Sequence, residues 1–115
     1  MNSKSKQSVR ENRLAKPGML AEMIDYADDS IVSKTIIDKP VGTLTLFAFD
    51  KGQKLSEHTA SYDAVVQVLD GRAQLTVGGK RIIVSAGQLI IMPANVPHAV
   101  AAEEKFKMLL TMIRA

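Results

Sequence analysis

The chain reads as an all-β protein, a sandwich or barrel of short strands, and three observations predict it. Short apolar or alternating segments, the pattern of buried and half-buried strands, recur roughly every eight to twelve residues. Gly, Pro or Asp punctuates the gaps between them. No helical periodicity runs long enough to supply the crossover helices of a βαβ protein.

Taken in order, residues 1–16 are polar, basic and without pattern, and are expected to form a flexible tail. Pro17-Gly18 marks the entry to a single folded domain, residues 17–115. Met19, Leu20, Met23, Ile24 and Tyr26 recur at helical spacing, which fits either a short turn of helix or an extended edge segment. From Ser30 to Ile37 the chain is β-rich, until Asp38-Lys39-Pro40 breaks it. Thr43 to Phe49 alternates with period two, and Asp50-Lys51-Gly52 turns the chain. Residues 54–58 form a short extended piece, and Ala64 to Leu69 an apolar strand that ends at Asp70-Gly71. Ala73 to Val77 and Lys80 to Val84 flank Gly78-Gly79, a tight hairpin signal. Leu89 to Met92, His98 to Ala102 and Phe106 to Ile113 complete nine strands, with a loop from Pro93 to Pro97.

Composition narrows the function classes. At 115 residues, 46% of them hydrophobic, the chain has room for one real core. Without Trp, and with only 3 Phe and 2 Tyr, that core is aliphatic. The net charge of +3 belongs to the tail, where Lys4, Lys6, Arg10, Arg13 and Lys16 face only Glu11. The tail carries five basic residues of 15 and one acid of 12, so the remainder is close to neutral and a nucleic-acid surface is not expected. No aromatic residue interleaves the basic run to stack on bases. No apolar run spans a bilayer, and no apolar segment follows the basic start as a secretory signal requires. Zero cysteines exclude disulfide and thiolate chemistry and fit a cytoplasmic protein.

The chemistry-bearing residues are two histidines. His58 follows Gly52-Gln53-Lys54-Leu55-Ser56-Glu57, and His98 follows Met92-Pro93-Ala94-Asn95-Val96-Pro97. These segments resemble the two motifs of the cupin superfamily, over roughly residues 30–113. Gly52, His58 and Gly71 match the first motif in spacing, and Gly87, Pro93 and His98 match the second. The resemblance implies a small single-domain cupin, a double-stranded β-helix or jelly-roll barrel, with both histidines facing its interior. It also shows departures. The second His of the first motif falls on Ala60 and its Glu on Ala64. In the second motif the Gly after Pro falls on Asn95 and the final Asn on Ala102. Asn tolerates a positive φ reasonably well.

Of the three-His, one-Glu metal set that the resemblance implies, His58 and His98 remain. A divalent metal (Fe, Mn, Ni or Zn) held by two imidazoles alone is weakly bound, since zinc sites use three or four protein ligands. Non-haem iron sites add a carboxylate to two His. Asp63, beside the vacated Glu position, serves only if a bulge at Ser61-Tyr62-Asp63 turns it inward. Gln67, a polar residue within an apolar run, is the other candidate; Glu57 is expected to face outward. Ala60, Tyr62, Ala64, Val66 and Met92 are expected to line the pocket, which the two alanines widen. Met108 and Met112 are expected to fill the core. No strained nucleophile turn, phosphate loop or dinucleotide fingerprint is present.

Three functions fit these residues. The first is a small-molecule-binding cupin, with or without a loosely held metal and without a defined reaction. The second is a metal-dependent oxygenase or isomerase, as in other cupins. The third is a non-catalytic structural or regulatory module, a homodimer paired through a sheet edge such as strand 31–37.

Overall fold

In the computed structural model, which describes residues 9–114, two antiparallel sheets enclose one core. The strands are β1 (Ile31–Lys39), β2 (Gly42–Phe49), β3 (Lys54–His58), β4 (Ala64–Asp70), β5 (Arg72–Val77), β6 (Lys80–Ser85), β7 (Leu89–Met92), β8 (His98–Ala101) and β9 (Phe106–Ile113). These are the nine expected strands, displaced by at most two residues at an end. One sheet has the order β1-β2-β9-β4-β7, and the other β3-β8-β5-β6.

Only the β1–β2 and β5–β6 hairpins stay within one sheet; every other connection crosses to the opposite one. That winding is the jelly roll. The expectation of a closed barrel needs correcting, because neither sheet closes on itself. β1 and β7 remain edges of one, and β3 and β6 edges of the other. The crossings are made by loops and tight turns, so no hydrogen-bonded ladder stitches the sheets together. Gly71 is one such crossing. Its φ is +72°, and a Cβ there would lie 2.3 Å from the Lys105 carbonyl oxygen, so only glycine fits. Gly78 and Gly79, at φ 57° and 82°, make the β5–β6 hairpin turn with both central residues left-handed.

Alternation delivers the core. In β4, Ala64, Val66 and Val68 are buried while Val65, Gln67 and Leu69 are half-buried on the other face. Phe49 and Phe106 are direct partners in the β2–β9 register and stack with ring centroids 4.6 Å apart. A stack of this kind adds about 0.5–1.5 kcal/mol beyond the area buried.

A second, smaller core lies on the outer face of the five-stranded sheet. Leu46, Ala48 and Leu109 are covered there by Ile24, with Leu20, Met23 and Tyr26 around it. The helical spacing of this segment resolves as one 3-10 turn, Leu20–Glu22, because the segment must follow the sheet. Lys34 and Lys107 donate to the Met23 and Ala21 carbonyls and hold it down. Tyr26 donates to the Asp70 carboxylate, and Lys105 and Lys107 lie 4.8 and 4.9 Å from its ring centroid. Burial first, then the Asp70 hydrogen bond and charge, raise the Tyr26 phenol above its ordinary pKa.

Of the expected tail, residues 1–8 lie outside the described residues. Val9–Arg13 forms α1, a short helix that packs against β1. Arg13 caps the turn that follows by donating to the Pro17 carbonyl. No helix among the described residues is long and apolar enough to cross a membrane.

Candidate functional site at the histidine pair

Forty residues apart in sequence, His58 and His98 become Cα partners where β3 pairs with β8. Their Nε2 atoms are 3.1 Å apart, and the rings meet edge to face with centroids 4.3 Å apart. His98 is buried at 4% exposure, whereas His58 is exposed, so the pair bridges interior and surface.

A bulge in β3 shapes this end of the sheet. Leu55 pairs with Val100 and His58 with His98, so three steps on β3 answer two on β8. Strict alternation would put Leu55 and His58 on opposite faces; the extra residue brings both onto the cavity. It also brings the Ser56 carbonyl within 3.0 Å of His58 Nδ1. His98 is held in the same way, with its Nδ1 3.2 Å from the Val96 carbonyl.

Behind the pair is a cavity of about 170 Å³. Ala60, Ala64 and Met92 line it, together with Phe47, Leu55, Val100, Met108, Leu110 and Met112. Ala64 aligns with Met92 on β7 and with Met112 on β9, so a small residue faces two flexible ones across the sheet. The parity of β9 was the available signal for Met108, Leu110 and Met112. Phe106, Met108, Leu110 and Met112 occupy every second position and so share one face. Val66 faces the same interior but is fully enclosed by the core and does not line the cavity.

The two candidate extra ligands are placed elsewhere. Gln67 lies on the opposite face of β4 from Ala64 and Val66, as period two requires. No inward bulge forms at Ser61-Tyr62-Asp63. Instead Asp63 is exposed and accepts a hydrogen bond of 2.8 Å from the Ala94 N–H. Beside it the Asn95 N–H donates to the Ala60 carbonyl at 2.8 Å, with Asn95 at φ 64°. Asp63 thus ties the two motif loops together. Tyr62 is 39% exposed and lines, with Asp63, Val65, Ile91 and Ile113, a separate groove on the outer face.

The donor set suits a metal only in part. At metal–nitrogen bonds of about 2.0–2.1 Å, adjacent imidazole nitrogens sit about 3 Å apart, so both Nε2 atoms fit one coordination sphere. Each Nδ1 lies beside a carbonyl, so with the hydrogens held there both Nε2 atoms, 3.1 Å apart, are left to serve as ligands. Among the described residues no group of three or more His, Cys, Asp and Glu comes together, so the chain offers two ligands.

Comparison with known proteins agrees with this architecture. A model of the cupin domain matches residues 45–114. A conserved protein of unknown function from Streptococcus pyogenes is 36% identical, with a TM-score of 0.84 over 88% of this chain and 89% of that one. A cupin 2 conserved barrel domain protein from Leptotrichia buccalis is 47% identical over 81% of this chain, with a TM-score of 0.79. The match covers 45% of the Leptotrichia chain, which is therefore considerably longer. A cupin superfamily protein from Desulfitobacterium hafniense is 26% identical, with a TM-score of 0.82 over 86% of this chain and 91% of that one. No functionally curated protein matches. With the domain model spanning more than half of its length, the chain belongs to the cupin family.

Proposed function

We propose that this cupin binds a small, largely apolar molecule between its sheets, anchored at its polar end by His58 and His98. The observation that carries this reading is the convergence of two Nε2 atoms at the mouth of an otherwise apolar cavity. Ligand sites commonly have this composition, an apolar lining with a few directed polar groups. A weakly held divalent ion, Fe, Mn, Ni or Zn, is part of the proposal, with His58 and His98 as its protein ligands. When bound, such an ion supplies a Lewis acid with open positions for the ligand's polar end. The chain's own contribution is to aim both imidazoles, through the Ser56 and Val96 carbonyls, and to exclude water from the apolar end.

Calorimetric titration of the four metals and a metabolite panel tests this, with His98→Ala as the control. Binding that His98→Ala weakens by tenfold or more is expected, in line with loss of one of few ligands. Wild-type behaviour of His98→Ala toward every binder would sink the reading. An oxygenase or isomerase would need the same metal, and elemental analysis of protein purified without chelating resin would have to find it at stoichiometric level.

A second reading, a homodimer, draws on the outer groove. Tyr62, Val65, Ile91 and Ile113 form a contiguous apolar surface, with Ile91 and Ile113 54% and 57% exposed. Light scattering of wild type and Ile91→Glu is the check; a monomeric wild type would remove this reading.

A further inference from the structure

The geometry points to a neutral, hydroxyl-bearing monocyclic aromatic, a phenol in chemical class, as the ligand of this cavity. This rests on the small-molecule reading above and adds the chemical class.

The polar requirement comes from the histidines. A carbonyl oxygen only accepts, so the tautomer that uses both contacts carries its hydrogen on each Nδ1, at 3.0 Å from Ser56 O and 3.2 Å from Val96 O. A neutral ring so held has its lone pair on Nε2. With both rings in that form the two Nε2 acceptors lie 3.1 Å apart, and only a donor or a cation brought to them relieves the contact. A proton, a metal ion or a donor group on a ligand satisfies them. A carboxylate head does not, because it brings only further acceptors.

The shape requirement comes from the cavity. Its volume of about 170 Å³ is close to the roughly 150 Å³ in which a dry apolar cavity holds benzene. No Asp, Glu, Lys or Arg lines it, so a charged ligand body would be buried without compensation. The body is therefore neutral and apolar, and an O–H at the mouth is the simplest head that donates without bringing a charge.

The lining selects a flat, polarisable body over a saturated one. Met92, Met108 and Met112 place three thioethers around the space, and Phe47 adds a ring. Sulfur–aromatic contacts are favourable, and methionine adapts to a planar guest. With the ring inside and the hydroxyl at the mouth, the O–H donates to His98 or His58 Nε2.

The test uses full-length protein stripped of metal by chelator, with methyl NMR of the methionines and calorimetry as readouts. The probes are phenol, benzene, cyclohexanol and benzoate. Phenol is expected to bind and shift the Met92, Met108 and Met112 methyl signals. Benzene should bind about three- to tenfold more weakly, the worth of one ordinary hydrogen bond. Cyclohexanol should be weaker than phenol, and benzoate should not bind. In the double variant His58→Ala/His98→Ala, or His58→Met/His98→Met if the first fails to fold, both acceptors are gone and phenol should fall to the affinity of benzene. The assignment is overturned if phenol shows no binding, or binds no tighter than benzene, cyclohexanol or benzoate. Its failure is separable from that of the broader reading. A histidine-dependent metal or metabolite binder, with phenol inert, removes the phenol class and leaves the small-molecule site standing.

Discussion

The two ends of the space between the sheets contrast sharply. At one end Phe49 and Phe106 stack face to face, both wholly buried, with Ala73 and Leu75 also enclosed. At the other end Ala60 and Ala64 leave a cavity, and two histidines stand at its mouth. The same two sheets build both, with the same alternation and the same ladder. The difference is side-chain volume at a few inward positions. Large rings close one end and hold the fold together, while small residues open the other and leave room for chemistry.

The largest effect should come from emptying the filled end. Phe106→Ala removes a fully buried ring and is expected to cost about 3–5 kcal/mol of stability by denaturant unfolding. A loss under about 1 kcal/mol would mean that the end collapses easily and that the contrast is wrong. Filling the hollow end should do the reverse. Ala64→Leu puts a larger side chain toward the cavity, so stability should move by no more than about 1–2 kcal/mol. Binding of any cavity ligand should nonetheless be lost in calorimetry. Retained binding would show that the ligand sits elsewhere.

Asp63 sharpens the boundary of the hollow end. Asp63→Ala removes the acceptor from the solvent-accessible Ala94 N–H and should cost about 0.5–1.5 kcal/mol. Metal affinity, measured by titration, should stay within about twofold of wild type, since the carboxylate is engaged between the loops. A loss comparable with that of His98→Ala would instead return Asp63 to the ligand set.

The smallest effect concerns the outer cover. The Tyr26 pKa is raised in the folded state, so the protonated phenol is favoured there. Its contribution is complete below the ordinary value of 10.0 and is lost as pH rises from there through the folded value. Wild type should therefore lose stability on the alkaline side more steeply than Tyr26→Phe. Parallel pH profiles for the two proteins would show that Tyr26 does not titrate with folding.

How much of this was legible in the chain follows from the range of the interactions. All nine strands were readable because alternation and turn residues act over a few positions. The positive φ at Asn95 was readable only through the resemblance, which places a motif glycine there. The histidine pairing came through motif spacing alone, since nothing local joins residues 40 apart. Asp63 went astray because its partner, the Ala94 amide, is 31 residues away and backbone amides carry no sequence signature. Leu55 was missed because the bulge before His58 breaks the parity by which faces are assigned. The outer core under Ile24 was hidden too, because a single 3-10 turn has too few residues to show its buried face.

The hollow end has a mechanical consequence. A folded protein with a poorly filled apolar pocket occupies more volume than its atoms require, and unfolding lets water reclaim that space. Hydrostatic pressure therefore favours the unfolded chain in proportion to that unfilled space, and the pocket here, about 170 Å³, lies at one end of the molecule. Compression should loosen the histidine end before the stacked phenylalanine end. A molecule that occupies the cavity would harden the protein against pressure.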